Sequence, residues 1–467
     1  MNSMKNGILR LAMAAMAIGG MGANAEAQEL NMPIVQTKFT ADPAPYVHGD
    51  TVYLYTTHDE DGAEGFKMRD WLLYTSTDMV NWEDHGAVAS LRDFCWYQND
   101  NGAWAEQVVE RGGKWYMYCP IHGHGIGVLV ADSPFGPFRD PLGHPLVWQR
   151  EHWDDIDPTV WIDDDGQAYL YWGNPNLYMV RLNEDMVSYS GEIVKHPHIK
   201  DYQEGPWMWA RRNPSDGRKW YYMAFASTCC PEGIGYAMSS RPDGPWEYKG
   251  HIMDHTPRTR GNHPGIIEFR GRSYCFGLNY DIFRLSTSRH AEQRSVSAAE
   301  MTYNADGTIC QLPYFQDCQL RQVAPFDPYR RVEAETMAWG YGLKTTRENP
   351  SGPWNATLFV TDIDEGEYLL VKGVDFGAGA RTFTASCSSQ VYGGTMELRI
   401  DAEDGRLIGR IDVPNTKFSY REFTTELKRV RGVHDLYFVF KGSSRQRRNL
   451  FNWDWWQMTP IAKAKKG

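Results

Sequence analysis

Between residue 40 and about residue 325 the chain repeats one pattern of polar and apolar positions. Each copy opens on a polar residue, runs through a short strand, turns, and returns as a strand crowded with aromatics. The copies read Asp42-Pro-Ala-Pro-Tyr-Val-His-Gly-Asp-Thr-Val-Tyr-Leu-Tyr, then Trp104-Ala-Glu-Gln-Val-Val-Glu-Arg-Gly-Gly-Lys-Trp-Tyr-Met-Tyr, then Asp157-Pro-Thr-Val-Trp-Ile. Glu204-Gly-Pro-Trp-Met-Trp and His263-Pro-Gly-Ile-Ile-Glu-Phe open the last two. Gly49-Asp50, Gly112-Gly113, Asp165-Gly166, Asp216-Gly217 and Arg270-Gly271 are hairpin turns between alternating strands. A second echo, at Ser76 to Trp82, Ser133 to Phe138 and Ser240 to Trp246, sets an aromatic after a turn at the outer end of a unit. Units of roughly 50 to 60 residues, with about four strands each, predict an all-β fold: a five-bladed β-propeller over 28–325. An ordinary β-sandwich is the competing reading, and five copies in order disfavour it.

The pattern stops around Pro325-Phe-Asp-Pro328. Alternation in Tyr368 to Lys372, Met396 to Ile400 and Asp435 to Phe440, with turns at Glu365-Gly366, Gly393-Gly394 and Asp404-Gly405, predicts a β-sandwich (jelly-roll) over 330–461. Lys463 to Gly467 reads as a frayed charged tail.

Composition narrows the function. Charged residues are 23% and hydrophobic ones 42%, which excludes wholesale disorder. A net charge of −11 argues against nucleic acid or an anionic membrane as partner. Lys5 and Arg10 precede an apolar run from Leu11 to Met21, and small residues at Ala23, Ala25 and Ala27 offer cleavage sites. Residues 1–27 therefore read as a signal peptide, and the mature chain as secreted or periplasmic with no integral membrane segment. The eight Cys have no CxxC spacing, so a zinc site is not expected. They read as buried small hydrophobes with at most one bridge, and the neighbours Cys229 and Cys230 are not expected to pair with each other.

In a propeller the innermost strands start near the axis, so Asp42, Glu106, Asp157, Glu204 and His263 are expected to converge. Close carboxylates raise one another's pKa, and glycoside hydrolysis needs one protonated acid and one base. Asp before Pro is also an ordinary turn opener. The equivalent placement of Asp42 and Asp157 in successive copies favours chemistry.

These marks resemble glycoside hydrolase family 43. They are Ala41-Asp42-Pro-Ala, Asp155-Ile-Asp157-Pro-Thr-Val, Glu204-Gly-Pro-Trp207, Asn262-His263-Pro-Gly, Arg294-Ser-Val and Tyr303-Asn-Ala-Asp-Gly-Thr308. The resemblance implies an inverting glycosidase with Asp42 as general base, Glu204 as general acid and Asp157 as modulator of the acid's pKa. Arg294 would position the carboxylates. His263 would either touch a cation or its water at the propeller axis, or hydrogen-bond in the channel with no metal. Trp104 and Trp207 are candidates to stack on sugar, and Trp209 is a weaker one. The second opener departs from the family's Trp-Ala-Pro-Glu form, and Glu106 is not read as catalytic.

Residues 330 to 461 resemble carbohydrate-binding module family 6, through Val332-Glu-Ala-Glu335 and Phe451-Asn-Trp-Asp454-Trp. That resemblance implies a structural calcium held by Glu333, Glu335 and Asp454, and a sugar contact at Asn452. Asn415-Thr-Lys-Phe418 replaces the usual Thr-Gly-x-Trp, so a familiar aromatic platform is expected to be missing. The module would either bind glycan or pack on the enzyme without binding one.

The leading expectation is an exo-acting enzyme that removes α-L-arabinofuranosyl residues from plant arabinoxylan or arabinan. A β-D-xylosidase, or a β-galactofuranosidase or galactanase, is the alternative on the same fold. A non-catalytic glycan-binding propeller is the alternative of another class, and the three carboxylates count against it. No organic cofactor is expected.

Overall fold

The computed structural model describes residues 31–151, 153–258, 261–280, 293–348 and 357–461. The expected signal peptide and the charged tail lie outside these residues. The described chain is all-β apart from two single-turn 3-10 helices, Leu91–Asp93 and Phe315–Asp317.

Five antiparallel sheets follow one another along the first part of the chain. Their first strands are Phe39–His48, Gln107–Arg111, Thr159–Ile162, Tyr202–Arg212 and Gly265–Phe269. Each pairs with the strand that follows it, and hairpins close on the expected turns. Arg111 pairs with Lys114 around Gly112 and Gly113, whose φ values of 63° and 79° give the doubly left-handed turn that matches strand twist. Arg270 and Gly271 turn the same way between Phe269 and Arg272.

The five first strands touch one another in a closed cycle. Phe39–His48 contacts Gln107–Arg111, which contacts Thr159–Ile162, which contacts Tyr202–Arg212; that strand contacts Gly265–Phe269, which returns to Phe39–His48. Sheets radiating from such a cycle form a β-propeller. Between sheets lie large buried rings, among them Trp71, Trp172, Tyr118, Tyr171 and Tyr222. Burial of such rings is the main stabilising term, at roughly 1.5–3 kcal/mol per large side chain.

The second part is a β-sandwich. One sheet carries Lys344–Arg347, Leu358–Thr361, Asn452–Pro460, Ala380–Ser388 and Arg421–Glu426. The other carries Trp339–Tyr341, Tyr368–Asp375, Val433–Lys441, Gly394–Ile400 and Arg406–Val413. Inward residues of both sheets, including Phe383, Phe438, Trp453 and Trp456, fill one core. Phe438 meets Trp453 edge-on at 4.8 Å. The second compact unit takes in residues 34–38 and 74–86 along with 321–467, so compactness does not follow a single cut in the sequence.

Candidate active site

Asp42 and Asp157 occupy matching backbone positions. Both sit at the inner ends of their sheets with φ of 49° and 56°, a left-handed conformation that Asp tolerates better than most residues. A register shift between Ala41 and Ala44 places Asp42 in a bulge, which re-aims its side chain off the ladder. Its Oδ2 accepts from Thr57 Oγ1 at 2.9 Å, and its Oδ1 accepts from Arg294 Nη1 at 2.9 Å. Arg294 is held in turn by Asp59, which takes Nε at 3.1 Å and Nη2 at 2.9 Å. The Phe66 ring lies 5.1 Å from the guanidinium carbon. Arg294 is thus fixed in a buried fork between two carboxylates, a geometry that lysine cannot reproduce.

Glu204 belongs to a second bulged strand, with register shifts on both sides of it. Asn174 Nδ2 donates to Glu204 Oε2. Burial pushes the Glu204 carboxyl up to about 7, and the charge of Asp42 adds to the push. Asp157 accepts from the Gly205 amide at 3.1 Å. Burial, followed by the charges of Glu204 and Asp42, holds its carboxyl well above the usual range. Gly205 has φ of 59°, and a Cβ there would stand 3.0 Å from His263 Nδ1. The positive φ and this close approach make any larger residue there strained. His263 Nδ1 lies 3.7 Å from Asp42 Oδ1, and burial keeps the imidazole below its ordinary pKa.

Asp42, Asp157, Glu204, Arg294 and His263 are therefore brought together. Glu106 is buried close enough for Asp42 to act on it; neither of its oxygens has a hydrogen-bond partner, and burial pushes it well above its ordinary pKa.

The tryptophans separate. Trp104 is partly exposed and stacks on His122 at 3.8 Å. Trp207, expected to meet sugar, is 6% exposed and donates its indole N–H to Ile266 O at 2.9 Å. It is a core residue, because the bulge after Glu204 turns its ring inward; Trp209 is equally buried. Asp59 and Asn174 are members of the site that the sequence reading missed. Neither opens a repeat, so no shared phase marks them.

The cysteine expectation needs one correction. Cys229 and Cys230 are joined as a disulfide, so these neighbours do pair with each other. Cys119, Cys275, Cys318 and Cys387 are free and buried, as small hydrophobes.

In the second unit Val332 pairs with Trp456 and the Ala334 amide bonds to Asp454 O, so first and last strands lie side by side. Glu335 Oε2 and Asp454 Oδ1 are buried without hydrogen-bond partners. Burial and neighbouring carboxylates raise both pKa values. Among the described residues, Glu333, Glu335 and Asp454 do not form one of the close groups of possible metal ligands. Glu333 is instead engaged by Arg331, at 2.8 and 3.1 Å. Phe418, which stands where the platform aromatic was expected to be missing, is 67% exposed.

Comparison with known proteins identifies the family. Residues 30–309 match Glycosyl hydrolases family 43, and residues 333–460 match Carbohydrate binding module (family 6). An arabinoxylan arabinofuranohydrolase of Paenibacillus polymyxa is 33% identical over 92% of this chain and 74% of its own length. One from Bacillus subtilis (strain 168) is 31% identical over 91% of this chain and 92% of its own. The crystal structure of a family 43 arabinoxylan arabinofuranohydrolase from Bacillus subtilis, in complex with cellotetraose, superposes with a TM-score of 0.80 at 30% identity, covering 92% of this chain and 97% of that one. The chain belongs to glycosyl hydrolase family 43 and carries a family 6 carbohydrate-binding module behind its catalytic domain.

Proposed function

We propose that this glycoside hydrolase is an exported, inverting, exo-acting enzyme that removes α-L-arabinofuranosyl residues from arabinoxylan. One observation carries the reading: an acid pushed up to about 7, Glu204, shares a buried site with an aspartate ion-paired to arginine, Asp42. Near neutral pH Glu204 retains enough proton to protonate the leaving oxygen, and it ionises readily afterwards. Asp42 takes a proton from the attacking water. The water oxygen bonds to the anomeric carbon as the glycosidic bond breaks, with inversion. Asp157, whose carboxyl burial holds above the usual range, accepts the Gly205 amide and orients that turn beside Glu204. Arg294 keeps Asp42 in place.

The closed cycle of first strands supports five blades over 28–325, followed by a module over 330–461. The names of the two relatives support arabinoxylan as substrate. The basic and apolar start of the chain supports export; among the described residues no helix is long and apolar enough to cross a membrane. Glu335 and Asp454 would hold a calcium ion in the module.

The test is release of L-arabinose from arabinoxylan, with proton NMR of the first-formed sugar. The expected product is the inverted anomer. Faster hydrolysis of an aryl β-D-xyloside than of an aryl α-L-arabinofuranoside would replace arabinose with xylose in this reading. Appearance of the retained anomer first would remove the water-activating role of Asp42.

A further inference from the structure

Glu232 has no place in the machinery above, yet the strand register brings it there. Strand Lys219–Ser227 sets Ala226 opposite Glu204 on one side and Ser227 opposite Gly233 on the other. Ile234, opposite Ala226, therefore stands at the level of Glu204, and Glu232 lies two residues before it, just ahead of the strand Gly233–Ser239. Its side chain turns inward and is 4% exposed as a residue. Oε2 accepts the Asn262 amide at 2.7 Å, directly before His263. A Cβ on Gly261 would lie 3.3 Å from both Glu232 Oε2 and Tyr280 Oη. Burial, then the charge of Glu204, pushes the Glu232 carboxyl up to about 8.

Beside it lies the Cys229–Cys230 disulfide. Both sulfurs are within 4.8 Å of each other and of a Glu232 carboxyl oxygen, and both cysteines are exposed. Thiolates in this arrangement would suit a soft metal, but a disulfide offers none. What remains is an uncharged, exposed disulfide beside a buried carboxyl on which the charge of Glu204 acts. A sugar ring has the complementary surface: a C–H face for the disulfide and hydroxyls for the carboxyl.

We propose that Glu232 is a specificity-determining residue that hydrogen-bonds a hydroxyl of the sugar held at Glu204, with the Cys229–Cys230 disulfide packed on a C–H face of that sugar. The inference rests on the pentosidase reading above. It assigns discrimination between pentose rings to a residue outside the catalytic carboxylates. A furanose and a pyranose present their hydroxyls at different heights, so one fixed partner at this position favours one ring over the other.

The test uses the full chain with 4-nitrophenyl α-L-arabinofuranoside and 4-nitrophenyl β-D-xylopyranoside. Glu232→Ala should raise KM for the preferred glycoside about fivefold to tenfold, the scale of one lost hydrogen bond, with much less change in kcat. The ratio of kcat/KM between the two glycosides should move by a similar factor. Glu232→Gln keeps both a donor and an acceptor, including the bond to Asn262, and should stay near wild type. A phosphine reductant should raise KM of the wild type and leave Cys229→Ser/Cys230→Ser unaffected. Equal loss on both glycosides in Glu232→Ala, with the ratio unchanged, would mean that Glu232 only holds the Asn262–His263 turn, and would overturn the proposal. If Glu232→Ala does not fold, Glu232→Asp, which withdraws the carboxyl by one methylene, must still move the ratio. A wild type inactive on both glycosides overturns the pentosidase reading, and this inference with it; a wild type active on one with an unmoved ratio overturns only the inference.

Discussion

At the scale of single residues, the roles of Asp42 and Glu204 are separable by their response to leaving-group quality. Asp42→Asn and Glu204→Gln keep volume and should each lower kcat at least ~10²-fold, the scale of general acid–base catalysis. An activated aryl glycoside should partly restore Glu204→Gln, because a good leaving group needs little protonation. It should not restore Asp42→Asn, which lacks the base. Steady-state rates on a phenyl and a dinitrophenyl glycoside check this, and equal restoration would contradict the assignment. The pH profile gives a second handle. Glu204 must be protonated to act, so kcat/KM should fall as pH rises through about 7. Asn174 donates to the ionised form and so lowers that pKa. Asn174→Ala removes this support, and the alkaline limb of the profile should move to higher pH while kcat drops. A limb that stays in place would place the titrating acid elsewhere.

At the scale of elements, the bulge around Glu204 decides what sequence periodicity can and cannot reveal. Asp42, Asp157, Glu204 and His263 were legible because each opens a copy of the same hairpin, and equivalent openers converge on one axis. Arg294 was legible only through its family motif. Trp207 was not, because period-two alternation from Glu204 fails across the register shift that follows it. Asp59 was missed because it closes a strand, and its fork onto Arg294 joins residues 235 positions apart. The same bulge gives a sharp expectation for Gly205. Its positive φ disfavours any side chain, and a Cβ would press on the His263 ring at 3.0 Å. Gly205→Ala should therefore displace Glu204 or His263 and lower kcat by ten- to about a hundredfold, the cost of a catalytic group misplaced by roughly 1 Å. Circular dichroism and the melting temperature distinguish this from unfolding. An alanine variant with wild-type kcat would mean that the turn relaxes without moving the acid.

At the scale of the whole molecule, the proposed reacting groups and the proposed calcium donors lie in different compact units. Asp42, Asp157, Glu204 and Arg294 belong to the first unit, and Glu335 and Asp454 to the second. Two states account for the buried, unpartnered oxygens of Glu335 and Asp454. Either the groups keep their protons, which their raised pKa values favour, or a calcium ion replaces those protons and ties the first strand of the sandwich to the last. The Arg331–Glu333 ion pair favours the first state, because it withdraws one donor from the set. Calorimetry of the full chain decides between them. A cation that binds only the folded state adds about 2.7 kcal/mol at a hundredfold excess over Kd. With calcium bound, a chelator should lower the melting temperature, added calcium should restore it, and Asp454→Ala should remove the response. Rates on a small aryl glycoside below the transition should not change, since the proposed reacting groups Asp42 and Glu204 lie in the first unit. A melting temperature indifferent to chelator and calcium alike would assign the protonated pair to the native state. In that case Glu335→Gln, which preserves a neutral group of the same shape, should leave stability nearly unchanged.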